Sequence, residues 1–454
     1  MTVGILEKLL LFALMLKTST VSGQGDFLYI TDIHYDPTYG DTDESCNAEA
    51  DSTRGTYGNF ECDPPWALVE SAVREMQRQF PNPKFIIWGG DNGHHEGANT
   101  RFTEDYMAEI VQNVTDLFLE VYPSVTVLPV LGNHDWWPKN QLPDNGLSTS
   151  DDLYDRYFEM WRQWIPNIEE TNFKRAGFFY VELDDGAIRA IVMNTNLYLS
   201  SNNAASGEDP GGQFEWLEEQ LSDARSANSK VHLITHVPVS NGMMTADYNQ
   251  RFVDIVVSNA DVIHAVYGAH LHFDEFNLFF NGSEEEGSQQ AVAFNLLLPS
   301  ITPWRWSGSS FARNPTFRQL SYDAQGELQD YTQFYLDLPE ANGGQPNWQQ
   351  LYTFSEAYGK DKLTAETMSS LATELQDLDS DKWEAYYENF YVAIGAPYKN
   401  TCNSVCKNEL LCAIENIQND PYETCMNEAS AATYSSLSFA LMLLPVTSLI
   451  KNFV

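Results

Sequence analysis

Positive charge is scarce in this chain. Of 454 residues, 25 are lysine or arginine against 64 aspartates and glutamates, for a formal net charge of −39. Such a surface repels nucleic-acid polymers and anionic bilayers, so neither is expected as a partner. It repels a small phosphate compound too, unless a site carries positive charge of its own. Long hydrophobic runs are missing as well. The two most apolar stretches, Leu9–Leu16 and Leu437–Ile450, fall short of the roughly 20 residues that span a bilayer as a helix. Cysteine is limited to six residues and histidine to nine. The four late cysteines have no zinc-finger spacing and no histidine nearby, which weakens a structural zinc site. What is present is a folding composition, 43% hydrophobic and 13% aromatic, in a chain long enough for a main domain and a smaller one.

Both ends read as addresses. The apolar core Leu9–Leu16 and the small residues Val21-Ser22-Gly23 form a secretory leader over residues 1–23, with Glu7 and Lys17 in unusual places; a buried N-terminal helix is the competing reading. Over residues 429–454, small residues precede the apolar stretch that holds Pro445, the layout of a glycolipid-anchor signal. Lys451 and Asn452 fit that layout less well, and a packed helix or loose tail competes with it. An even cysteine count fits an oxidising compartment. Segregation along the chain favours Cys46–Cys62 and two bridges among Cys402, Cys406, Cys412 and Cys425, out of about 15 pairings. Asn113-Val-Thr and Asn281-Gly-Ser are glycosylation sequons. The expectation is a monomeric secreted, cell-surface or lysosomal glycoprotein, attached to membranes, if at all, through a C-terminal glycolipid.

From Phe27 onward, apolar β-branched runs alternate with amphipathic helical stretches, the α/β signature. In "CDPPWALVESAVREMQRQF", Asp63 is placed to cap a helix, the prolines start it, and Trp66, Val69, Val73, Met76 and Phe80 share one face. Residues 103–122, 211–227 and 245–259 read as further helices, and 273–338 as hairpins. A catalytic domain is expected over residues 24–338, and a helical, disulfide-bonded region over 339–428 after the linker-like "PEANGGQPN".

Five apolar runs end in metal-binding side chains. "FLYITDIH" ends in Asp32 and His34, "KFIIWGGDNGHH" in Asp91, His94 and His95, and "VTVLPVLGNHD" in Asn133, His134 and Asp135. "VHLITHVPV" carries His236, and "DVIHAVYGAHLH" ends in His270 and His272. Ligands of α/β sheets bind outside the carboxyl ends of strands, where all of these fall. His232 and His264, inside apolar runs, read as core or sheet-face residues.

The blocks Asp32-Ile33-His34, Gly90-Asp91, Gly132-Asn133-His134-Asp135, His236 and His270-Leu271-His272 resemble the ordered motifs of the calcineurin-like metallophosphoesterases. "CDPPWALVESAV", "GNHDWWPKNQLP", "NPTFR" and the tail from Cys402 to Cys425 resemble the acid sphingomyelinase-like phosphodiesterases in particular. The resemblance implies a four-layer sandwich, two mixed β-sheets flanked by helices, with a small helical disulfide-bonded C-terminal region. It implies two zinc ions, one held by Asp32, His34, Asp91 and His272, the other by Asp91, Asn133, His236 and His270. Such a pair can share a deprotonated water as nucleophile and clamp phosphoryl oxygens. Two anionic ligands against two divalent ions leave a net positive pit, which answers the electrostatic objection of an acidic surface.

The resemblance also gives His134 a phosphate contact and the part of general acid, and makes His95 a second phosphate-contacting histidine. Asp135 either orients His134 or caps the next turn, and His94 is expected at the surface. Ala269 stands where the pattern has glycine, so either an ordinary backbone or a shifted turn is expected there.

The activity expected is hydrolysis of small phosphodiesters or nucleotide-like pyrophosphates. A purple acid phosphatase would place tyrosine where His94 stands. Sphingomyelin hydrolysis is weakened because the first ligand strand follows the leader directly, without a saposin-like segment. A non-catalytic surface binding protein is the third rival, and the complete ligand set argues against it.

Overall fold

The computed structural model of the chain describes residues 25–40, 54–95, 102–144, 151–282, 289–305, 312–392 and 402–442. The leader expected over 1–23, Cys46 and the tail from 443 onward lie outside the described residues.

Continuous apolar runs make the central strands, because strands covered on both faces need no polar alternation. The first sheet runs in the order β12-β11-β10-β1-β2-β3. Its parallel half is β1 (Gly25–Ile30), β2 (Phe85–Trp88) and β3 (Thr126–Pro129). The antiparallel half is β10 (Thr316–Tyr322), β11 (Leu328–Leu336) and β12 (Trp348–Thr353). The second sheet runs β4-β5-β6-β7-β9-β8. Here β5 (Ile188–Val192), β6 (Lys230–Ile234), β7 (Ile263–Gly268) and β9 (Gln290–Leu297) are parallel. The edges β4 (Phe179–Leu183) and β8 (Glu275–Asn281) are antiparallel.

The sheets meet through aromatic side chains. The Tyr29 and Tyr267 rings lie edge to face at 6.0 Å, and the Tyr29 hydroxyl donates to the Gly268 carbonyl at 2.7 Å. Outside the first sheet pack α1 (Trp66–Gln79), α2 (Glu104–Val121) and α3 (Asp151–Trp161), with Trp88 against Phe118 at 5.0 Å and Trp161 at 5.6 Å. Outside the second pack α4 (Gln213–Ala227) and α5 (Ala246–Ser258), whose Phe214, Leu217, Phe252 and Val256 are fully buried. The helix of α1 buries Leu68, Val69, Ala72, Val73 and Met76, close to the face expected from its spacing. Its N-cap position is Pro65, with no side-chain cap, so Asp63 does not cap it.

The last part of the chain folds back onto this frame. Helices α6 (Ala365–Leu375) and α7 (Asp381–Tyr391) are capped by Thr364 and Ser380. The Asp274 N–H donates to the Phe390 carbonyl and the Asn314 N–H to the Val392 carbonyl, both at 3.1 Å. Helices α8 (Ser404–Glu415) and α9 (Asn419–Met442) are joined by the Cys412–Cys425 disulfide, and Cys402–Cys406 closes the turn into α8. These bridges replace the competing zinc reading of the cluster. Cys62 is disulfide-bonded too, and its expected partner Cys46 is outside the described residues. Strand β12, "WQQLYT", lies where helix was expected. It is an edge strand with a bulged register against β11, and its glutamines blur the alternation that marks strands. Among the described residues no helix is long and apolar enough to cross a membrane.

Glu275, at the start of β8, is buried, and the Asn277 side-chain amide donates to it at 2.6 Å. Burial raises its carboxyl from 4.5 to about 7. The folded chain therefore holds this proton more tightly than the unfolded chain, and that contribution to stability is lost as pH climbs from about 4.5 through 7. Glu275→Gln is expected to flatten this loss and to exceed the parent in stability at pH 8 by roughly 1–3 kcal/mol. Urea unfolding across pH 4–8 measures it, and parallel curves for parent and variant would contradict it.

Candidate metal centre

The expected ligands stand just past the ends of β1, β2, β3, β6 and β7, on loops that turn sharply. Asp32, His34, Asp91, His270 and His272 have left-handed φ values of 50°, 48°, 54°, 68° and 65°. Such backbone costs roughly 1–3 kcal/mol per non-glycine residue, and neighbouring loops hold it in place. The N–H groups of Asp32 and His34 donate to the carbonyls of Gly90 and Asp91 at 3.0 and 2.9 Å. The Ala269 N–H donates to the His236 carbonyl at 2.9 Å, and the His270 N–H to Asp32 Oδ1 at 3.1 Å. Ala269 itself has an ordinary backbone and is fully buried; the turn falls on His270 and His272 instead. Gly132 answers to a close approach, since a Cβ there would lie 2.1 Å from Asp91 Oδ1.

Asp32, His34, Asp91, Asn133, His236, His270 and His272 converge on one pit. The Nδ1 atoms of His34 and His236 lie 2.8 Å from the Gly93 and Gly89 carbonyls. A carbonyl only accepts, so each Nδ1 carries a proton and each Nε2 points inward. His34 Nε2 lies 3.2 Å from His272 Nε2 and 3.5 Å from Asp91 Oδ2. His236 Nε2 lies 3.2 Å from the same Asp91 Oδ2 and 3.0 Å from Asn133 Oδ1. The Asn133 amide donates to Asn140 Oδ1 at 2.8 Å, which turns its oxygen toward the pit. His272 Nε2 lies 3.3 Å from Asp32 Oδ1. Lone pairs thus face lone pairs in a buried space, an arrangement that calls for cations between them. Donor atoms of Asp32, His34 and Asp91, and of Asp91, His236 and His270, form two clusters each within 4.8 Å, sharing Asp91. Imidazole and oxygen donors without thiolate suit zinc and its borderline neighbours, and a dinuclear occupancy fits.

The electrostatics agree. Burial holds the rings of His34 and His272 below their ordinary value and takes His270 to about 4, so all three are neutral and ready to ligate. Burial works the same way on His236, but Asp91 and Asp32 overcome it and raise that ring to about 9. Burial likewise opposes ionisation of Asp91, yet His236 and His134 hold its carboxyl well below the usual range. Positive charge is wanted beside this carboxylate.

Around the pit stand the two other expected histidines. The His134 N–H donates to Asp91 Oδ1 at 2.7 Å, and among the described residues nothing hydrogen-bonds to its ring. His95 stacks between His34 at 4.2 Å and Trp304 at 3.9 Å. Asp63, fully buried, accepts from the His95 N–H at 2.7 Å, from its Nδ1 at 3.0 Å and from the Thr302 hydroxyl at 2.9 Å. That fixes the His95 ring through its Nδ1 side. Asp63 was not legible as part of the site, since its partner His95 is distant in sequence and no local pattern joins them. Asp135 does not meet the His134 ring. It accepts from the N–H groups of Asp91, Asn92 and Gly132 at 3.0, 2.6 and 2.7 Å and from the Asn92 amide at 3.0 Å, tying the β2 and β3 loops together. His94 is buried, not exposed as expected, with its ring against Tyr106 Oη at 3.0 Å and the His95 carbonyl at 2.9 Å. Asn113 is half-buried on α2, and Asn281 is exposed at the end of β8.

The calcineurin-like phosphoesterase profile matches residues 25–274, and the acid sphingomyelin phosphodiesterase C-terminal region matches residues 290–432. Among curated proteins, the acid sphingomyelinase-like phosphodiesterase 3b of Homo sapiens is 31% identical over 441 residues, covering 92% of this chain and 94% of its own. The cyclic GMP-AMP phosphodiesterase of Homo sapiens is 32% identical over 421 residues, covering 89% and 90%. The sphingomyelinase phosphodiesterase C of Dictyostelium discoideum is 28% identical over 424 residues, covering 89% and 93%.

Asp135 yields a test that separates bracing from chemistry. Asp135→Ala strands four buried N–H donors and is expected to destabilise the chain by roughly 3–5 kcal/mol. It is also expected to lower the metal content measured by mass spectrometry, because the Asp91 loop loses its support. Unchanged stability and unchanged metal content would contradict the brace.

Proposed function

This chain belongs to the acid sphingomyelinase-like phosphodiesterases of the calcineurin-like phosphoesterase family, and on that premise we propose that it hydrolyses small phosphodiesters or nucleotide-like pyrophosphates. The observation that carries the reading is the convergence of seven donors, six of them buried, on one pit, with ring nitrogen facing ring nitrogen across it. Asp32, His34, Asp91 and His272 would hold one divalent ion, and Asp91, Asn133, His236 and His270 the other, with zinc favoured by the donor set. When bound, such ions supply Lewis acidity toward phosphoryl oxygens and lower the pKa of water.

The remaining steps belong to the chain's own side chains. His95, oriented by Asp63, presents Nε2 to a phosphoryl oxygen. The His134 ring, without a hydrogen-bond partner among the described residues, protonates the departing oxygen, since an alkoxide leaves poorly. Burial depresses the basicity of that ring, and the charge of an arriving phosphoryl group works in the opposite direction. The chain would act as a secreted, cell-surface or lysosomal monomer, with a removed leader, sugars on Asn113 and Asn281, and a glycolipid anchor replacing the tail after about residue 428. A catalytic unit over about 24–338 and a C-terminal region over 339–428, helical apart from the β12 strand that completes the first sheet, make up the proposed organisation.

His134→Ala is expected to keep its metal and to lose on the order of 10²–10⁴ in kcat on a chromogenic phosphodiester. Activity near the parent's would remove His134 from the mechanism, and an inactive parent with full metal content would defeat the hydrolase reading. Screening nucleotides, choline phosphodiesters and sphingomyelin then separates the substrates named for the relatives.

A further inference from the structure

Arg313 is a buried cation without a counter-ion. It is 4% exposed, its Nε makes no hydrogen bond, and among the described residues no carboxylate lies within ion-pair distance. Arg318, on the neighbouring strand β10, shows what a structural arginine looks like in this fold. It is just as buried, donates to Asp274 and Gln333 at 2.7 Å each, and lies over the Tyr331 ring at 4.0 Å. A guanidinium buried without such partners is costly and is retained where a ligand completes it.

Its position points to which ligand. The guanidinium lies 4.4 Å from the centre of the Phe273 ring, and Phe273 directly follows His272 of the pit. Phe273 is itself stacked on Phe390 of α7 at 4.7 Å, and the Asn314 N–H donates to the Val392 carbonyl, so the wall carrying Arg313 is anchored on both sides. The negative charge of Asp32 acts on Arg313, which places the guanidinium within the field of the centre. Asp32 and Asp91 are the only carboxylates among the seven donors, so the pit is already short of negative charge once cations fill it. A single phosphodiester brings one negative charge, and Arg313 adds to the excess rather than relieving it. A planar guanidinium fork matches the oxygens of a second phosphate.

We propose that Arg313 binds a second phosphate adjacent to the scissile phosphoryl group and selects substrates with two linked anions over substrates that pair a phosphoryl group with a cationic headgroup. This rests on the phosphodiesterase reading and narrows its substrate class.

The test reads binding, not turnover. The zinc-loaded full chain is titrated calorimetrically with adenosine monophosphate and with the non-hydrolysable α,β-methylene analogue of adenosine diphosphate, which adds one adjacent phosphate. Arg313→Met is expected to weaken the second ligand 10- to 100-fold more than the first, as loss of a charged hydrogen bond does. Arg313→Lys, which keeps the charge and loses the fork, is expected to fall between. The thermal midpoint of Arg313→Met should not drop, because an unpaired buried charge has been removed. Equal weakening of both ligands, or none, overturns the proposal, as does a lowered midpoint with an unchanged ratio. If the parent fails to hydrolyse bis(p-nitrophenyl) phosphate, the phosphodiesterase reading fails, while the binding ratio still decides the place of Arg313.

Discussion

The Asp91 carboxylate is the point on which the site depends. One oxygen accepts the His134 N–H, and the other faces imidazole nitrogens from both sides of the pit. The carbonyls of Gly93 and Gly89 fix the far nitrogens of those rings as donors, so the near nitrogen of His34 presents a lone pair and that of His236 does so once its second proton has left. Among the described residues only a protonated His236 offsets this concentration of acceptors. Cations would neutralise it, and the strained loops make sense as the cost of aiming five side chains from strand ends at one small volume. The bracing follows from the same need: Asp135 gathers four N–H donors so that the Asp91 loop cannot relax.

That local demand reconciles an acidic molecule with an anionic substrate. A net charge of −39 would keep phosphates away from a featureless surface. Two divalent ions held by a cluster with two carboxylates would invert the sign at one point. Around it the wall is aromatic and imidazole rather than acidic, with His95 held between His34 and Trp304. The C-terminal region takes part in this wall through Phe390, which links the disulfide-bonded end of the chain to the site beyond simple attachment.

How much of this was legible in the sequence follows from the range of each interaction. Continuous apolar runs and the residues just after them are local, so β1, β2, β3, β6 and β7 and the donors at their ends could be read directly. The antiparallel β12 could not, because an edge strand with glutamines loses its alternation. Asp63 was misplaced as a helix cap because its partner, His95, is 32 residues away, and local spacing favoured the nearest helix. His94 was expected at the surface because the resemblance gives it no role, yet it is buried with its ring against Tyr106 on α2. Arg313 carried no signal at all, since its meaning lies in an absent partner, which only three-dimensional placement reveals.

The central claim, that this pit is built around cations, is tested most directly by removing and restoring them. The chelator-stripped chain, titrated with zinc near pH 7.5 while heat, proton release and thermal midpoint are followed, should take up two ions per chain. The midpoint should rise, and protons should be released, chiefly from His236, whose ring holds one up to about pH 9 in the metal-free site. Absence of uptake, or uptake without stabilisation or proton release, would contradict the account.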